Sequence, residues 1–215
     1  MKISDLDSRV IIEYGRRNGN DIDRVVILEN GVEPAPYSPS WPEDSWETTV
    51  QEFGQFLIDR HPTATEPLLK GKVITGDKEW FYGLQKQLLE ERIPIGAIDA
   101  LGNWSLWNIE AVDSFLAQYC ESNDLRYLVM ALGNTSYAIS CSLFSRYYKQ
   151  HQNGAVILEI ILEAFPSQRT IFNEVRAICK QTQTALFQGG PKPNIEVVDG
   201  LVEMVSLAVI DTLSS

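Results

Sequence analysis

The chain has 215 residues, of which 44% are apolar and 10% aromatic, enough to fill a core without a metal or a disulfide framework. Its 18 Lys and Arg against 29 Asp and Glu leave a net charge of -11, which opposes broad binding of nucleic acid or an anionic membrane by the molecule as a whole. The three cysteines, Cys120, Cys141 and Cys179, lack CxxC spacing, a pattern that excludes a zinc ribbon or disulfide scaffold and suits a reducing cytoplasm.

In chain order, the opening "MKISDLDSRVIIEYGRR" has acids where a secretory leader would have its apolar stretch, so export is not expected. Residues 9–14, "RVIIEY", and 24–29, "RVVILE", are β-branched runs separated by a segment containing Asn18-Gly19. They predict an N-terminal β-hairpin. Prolines at 34, 36, 39 and 42 then rule out a sheet interior and predict an extended strap, with Tyr37 and Trp41 as rings that pack on the body or meet a partner. The expected organisation is a hairpin over 1–33, a Pro-rich strap over 34–43 and a helical body over 44–215, the hairpin packing on that body to give a single domain.

Within the body, Asp44-Ser-Trp-Glu47 resembles a capping box, which predicts a helix from Asp44 carrying Trp46, Val50, Phe53 and Leu57 and stopping before Pro62. "LLKGKVITGD" reads as a turn. Asp77 is expected to cap a helix with Phe81, Leu84 and Leu88 on one face, ended by Ile93-Pro94. In "IPIGAIDALGNWSLWNIEAVDSFL", Ile93 to Leu116, two short strands around 95–107 turn at Gly102-Asn103 and lead into a helix capped by Asn108. That outline resembles excisionase-like winged-helix modules, a resemblance that would imply contact with DNA.

Farther on, "DLRYLVMAL" predicts a short helix ending at Gly133, and Asn134 or Thr135 should open the next. "GAVILEIILEAF", the longest strongly apolar run in this reading, is interrupted by Glu159 and Glu163, so no membrane span is expected; it reads as a buried helix ending at Phe165-Pro166. Ser167 is expected to cap a helix whose Ile171, Val175, Ile178 and Leu186 face inward. After "GGPKPN", a last helix should turn Leu201, Val205, Ala208 and Val209 to the core. The fold class is therefore mainly α, with an N-terminal hairpin and a second short hairpin, or α+β by strict count.

Chemistry is sparse. Only His61 and His151 are present, with no HxxxH, HExxH or GxSxG pattern. No glycine run has the spacing of a dinucleotide or phosphate cradle. No catalytic, cofactor-binding or metal-binding residue is assigned, and no cofactor is expected. His61 reads as a partly exposed residue at a helix end, His151 as a surface cap, and Cys141 and Cys179 as small core residues.

One constellation remains. On the helix after Ser167, Arg169, Arg176 and Lys180 follow at i, i+7 and i+11 with Asn173 and Gln183 on the same stripe, Phe187 continuing it and Lys192 shortly after. Residues 141–192 hold 6 Lys and Arg against 3 acids, whereas 193–215 hold none against 4. Arg beside an aromatic is common at protein interfaces. The sequence is therefore read as a non-enzymatic adaptor or assembly subunit, docking another protein or a second copy through Arg169, Arg176, Lys180, Phe187 and Lys192 or through Tyr37 and Trp41. A nucleic-acid-linked regulator is the first alternative, although Ile93 to Leu116 contains no Lys or Arg for phosphate. A small enzyme assembled from scattered polar groups is the second.

Overall fold

The computed structural model describes residues 9–15, 22–29, 31–35 and 43–214; of Ile22, Glu43 and Asp44 only the backbone is described. Tyr37 and Trp41 lie outside the described residues. These residues form eight helices and four strands, a mainly helical chain with an N-terminal hairpin. Two compact units result, one from residues 1–97 with 151–157 and one from 98–150 with 158–215.

In the first unit, β1 (Val10–Tyr14) and β2 (Ile22–Leu28) pair antiparallel, Val10 opposite Ile27 and Tyr14 opposite Asp23. β-Branched side chains alternate as the pleat requires. Val10, Ile12, Val25 and Ile27 are fully buried on one face, while on the other Glu13 takes Lys72 at 2.9 Å and Arg24 at 3.5 Å. The hairpin is extended on both sides: β3 (Glu43–Thr49) runs parallel to β2, and β4 (Lys72–Thr75) antiparallel to β1, in the order β3-β2-β1-β4.

Both added strands depart from expectation. Residues 43–49 are strand because β2 offers a full parallel ladder from Ile22 to Leu28, and those backbone bonds outweigh a local capping pattern. The helix cap lies five residues later, at Thr49. Thr49 accepts the amide of Glu52 at 3.1 Å, and Glu52 in turn accepts the Thr48 hydroxyl at 2.7 Å, opening α1 (Val50–Ile58). "KVIT", read as part of a turn, is a strand for the same reason: an edge of β1 was available to it.

The buried face of the sheet is covered by α1 and α2 (Pro62–Lys70), α3 (Lys78–Glu90) packs against α2, and Phe53, Leu57, Ala64, Leu68, Phe81, Leu84 and Leu88 share one core with the strands. Asp77 caps α3 as expected, accepting the Trp80 amide at 2.9 Å. Helix α2 was not anticipated, since Pro62 and Pro67 argue for a break; Pro62 instead occupies the first turn, where no amide bond is lost. Residues 151–157 return to this unit, with Ala155 donating to Leu88 and Ile93 to Gln152.

The second hairpin is absent. Residues 95–122 form one helix, α4 (Ile95–Ser122), which contains Gly102, Asn103 and both tryptophans. Its buried positions, Ile98, Leu101, Ser105, Asn108, Val112 and Tyr119, follow 3–4 helical spacing, and two of them are polar, which hid the period. Asn108 is not a cap but donates to the Trp104 carbonyl one turn back, and Ser105 donates to Ala138 at 2.6 Å. Without strands there is no wing, and the winged-helix reading falls.

Helix α5 (Leu125–Gln150) likewise runs through Gly133. Asn134, Thr135 and Ser136 each bond the carbonyl four residues earlier and cap nothing. Among the described residues the helix long and apolar enough to cross a membrane is α5 and not the 154–165 segment, and most of its apolar window is buried within the fold. α6 (Leu158–Ala164) is helical as expected, and Phe165-Pro166 ends it. α7 (Pro166–Gln188) is opened by Phe165 with Pro166 at its first position, so Ser167 is not the cap; Gly189, at φ 74°, ends it. α8 (Ile195–Ser214) buries Val198, Leu201, Val202, Val205, Val209 and Thr212.

Candidate functional site

Helix α7 arises from a clean division of its circumference. Phe172, Val175, Thr182 and Ala185 are buried, whereas Ile171, Ile178 and Leu186, expected inside, are half-buried, so the inner face is turned slightly from the predicted one. The opposite face carries Arg169, Asn173, Arg176, Lys180 and Phe187, all exposed and all within one stripe by the 3.6-residue period. The Arg176 guanidinium lies 5.8 Å from the centre of the Phe172 ring, so its stem crosses the helix surface before the charge reaches water.

Lys192 stands apart from this group. It lies beyond the end of α7, and its ammonium bonds the Asn123 side-chain oxygen at 3.1 Å. Asn123, at φ 54°, occupies the left-handed turn between α4 and α5 that Asn tolerates better than most residues. Lys192 thus ties a loop to a turn, while the other three cations remain on α7.

A feature missed in the sequence is the outer side of α8. Its core row occupies one side, and Val197 (52% exposed), Met204 (45%), Leu207 (63%) and Ile210 (57%) lie on the other. The signal was present, because the helix is apolar on more of its circumference than one buried face needs.

The sheet places two acids side by side. In the parallel pairing of β2 and β3, Asp23 is level with Asp44, Val25 with Trp46 and Ile27 with Thr48. Val25, Ile27 and Thr48 are buried, so Asp23, half-buried, ends the row that begins in the core.

Two further titratable residues, His61 and Cys141, are buried. His61 is only 4% exposed and not partly exposed as expected. It caps α2: Nδ1 accepts the Thr63 amide at 3.2 Å, and the ring lies 5.0 Å from Phe56. Burial pushes its pKa down to about 3, which favours the neutral ring. Asp59, two residues before His61, accepts a bond from the Gln55 side-chain amide at 2.9 Å. Cys141 is fully buried on α5 and its thiol is pushed upward by desolvation, the reverse of an activated nucleophile. His151 is exposed just after α5. Among the described residues no group of three His, Cys, Asp or Glu is placed to hold a metal ion.

No protein-family model and no curated protein matches the chain. Among solved structures, a nucleotidyltransferase-like protein from Exiguobacterium sibiricum 255-15 is similar at a TM-score of 0.37 and 13% identity, over 96% of this chain and 68% of that one. A likeness at that level carries no argument about function.

Proposed function

We propose that this chain is a non-enzymatic interaction subunit of an intracellular assembly that receives an acidic protein segment on the exposed face of α7. The observation that carries this reading is the common face of Arg169, Arg176 and Lys180: three exposed cations with no ion pair among the described residues, on a molecule of net charge -11. Such a stripe steers an acidic partner and fixes its orientation more than it adds affinity, and Phe187 at its end supplies an apolar contact. Tyr37 and Trp41 of the Pro-rich strap are the second contact in this reading. The test is affinity purification of the whole chain from its native cell with crosslinking, beside the Arg176→Glu/Lys180→Glu variant. A partner retained by the parent and lost by the variant is the expected result; identical partner sets would remove α7 as the contact.

A second reading, a small enzyme, draws support from the level placement of Asp23 and Asp44 on adjacent parallel strands. Oxygen donors suit Mg2+, which is held by one or two carboxylates and completed by substrate phosphates, so the reaction class would be metal-assisted transfer or hydrolysis of a phosphoryl group. Calorimetric titration with Mg2+ or Mn2+ decides it: binding abolished in both Asp23→Asn and Asp44→Asn supports the reading, and absence of binding by the parent protein ends it.

A further inference from the structure

Helix α8 carries two rows of residues at 3–4 spacing, one buried and one exposed. The exposed row is Val197, Gly200, Met204 and Leu207, with Ile210 at its flank. A row of this spacing is the geometry by which one helix receives another along its length. Gly200 adds to it, because nothing lies within 4 Å of where its Cβ would be, so a partner backbone can approach closely there. Glu196 and Glu203, exposed and separated by two turns, border one side of the row, and residues 193–215 contain no Lys or Arg at all.

We propose that the Val197–Met204–Leu207 row of α8, bordered by Glu196 and Glu203, is the docking seam for a basic amphipathic helix of a partner protein, one with apolar residues at 3–4 spacing and Lys or Arg beside them. The charge chooses the occupant. A second copy presenting its own α8 would place Glu196 and Glu203 against the same two acids, a like-charge contact that opposes assembly. A second copy presenting α7 would supply cations, but its outward stripe offers Asn173 where the seam needs an apolar side chain, and Phe187 is its only exposed ring. Four apolar side chains left about half in water on one helix face form the patch that a helix-in-groove partner would cover. The seam is separate from the α7 stripe and does not depend on the acidic partner proposed for it.

The test uses the whole protein and a labelled three-heptad peptide with Leu at a and d and Lys at e and g, against the same peptide with Glu in place of Lys, read by fluorescence anisotropy at physiological salt. The expected result is saturable binding of the Lys peptide, weakened about tenfold or more by Met204→Gln/Leu207→Gln, a change that leaves net charge untouched. Both positions are exposed, and circular dichroism checks that the variant keeps its helices. The Arg176→Glu/Lys180→Glu variant should bind the Lys peptide at least as well as the parent. Equal affinity for the Lys and Glu peptides, unchanged binding in the α8 variant, or loss of binding in the α7 variant would each overturn the assignment. So would light scattering that shows a dimer of the parent protein dissolved by Met204→Gln/Leu207→Gln, since the occupant would then be a second copy.

Discussion

Arg60 and Glu91 close the first unit on itself: the Arg60 Nη2 lies 3.3 Å from the Glu91 carboxylate, while its Nη1 donates to the Leu57 carbonyl at 2.7 Å. Arg60 is 1% exposed and sits at φ 57° in the turn between α1 and α2, and Glu91 follows the last turn of α3. A left-handed, buried arginine costs backbone strain and desolvation, which its partners must offset. Removing the guanidinium by Arg60→Ala should lower stability by about 3 kcal/mol through lost packing and bonds. Glu91→Gln should cost about 1 kcal/mol, because Glu91 is partly solvated. Urea unfolding of both variants checks the order; a larger loss in Glu91→Gln would contradict it.

His61 gives the fold a dependence on pH whose sign follows from its burial. Its folded-state pKa of about 3 lies below the ordinary histidine value, so the unfolded chain binds a proton that the folded chain excludes. Stability from this residue is complete above about pH 6.5 and declines as pH falls toward 3, reaching roughly 3 kcal/mol of loss near pH 4 by the 1.36 kcal/mol per unit relation. The difference in unfolding free energy between pH 7 and pH 4.5 should shrink in His61→Asn, which can still cap α2. An unchanged pH dependence would show that His61 is not the group responsible.

Two glycines separate backbone need from free space. Gly76 has φ 100°, and a Cβ there would meet the Val10 Cα at 2.8 Å and the Arg9 carbonyl, so Gly76→Ala should destabilise by about 2 kcal/mol or more. Gly102 lies inside α4, and its Cβ would touch only Leu213 and Ser145 at ordinary distances. Gly102→Ala should therefore stabilise by about 0.5–1 kcal/mol, the helix-propensity difference. Thermal melts of the two variants report both; a destabilised Gly102→Ala would favour a turn at 102–103 over a helix.

Reversing charge on α7 should leave the fold intact. Arg176 and Lys180 are exposed and make no ion pair among the described residues, and only the Arg176 contact with the Phe172 ring is lost, so Arg176→Glu/Lys180→Glu should stay within about 1 kcal/mol of the parent. The same change should abolish the salt-sensitive part of any partner affinity. A melt shifted well outside that range would assign the stripe a structural role.

The elements readable from the chain were those whose signals are local. β-Branched runs on either side of a turn marked β1 and β2, Asp77 marked the start of α3, and Gly189 after an amphipathic stretch marked the end of α7, because each depends on conformational preferences within a few residues. The same locality exposed the Arg169–Arg176–Lys180 stripe, which needs only helical periodicity to be seen. Tertiary structure decided the rest. Residues 43–49 resembled a helix start until a parallel edge of β2 gave them a ladder, and 95–107 resembled a hairpin until Ser105 and Asn108, polar yet buried, found partners inside the helical unit. Whether an apolar side chain on α8 faces core or water depends on what packs against it, so the row of Val197, Met204 and Leu207 became visible only when Leu201, Val205 and Val209 had taken the core side. Asp23 and Asp44, far apart in sequence, became neighbours through a strand register that hydrogen bonds between distant segments impose.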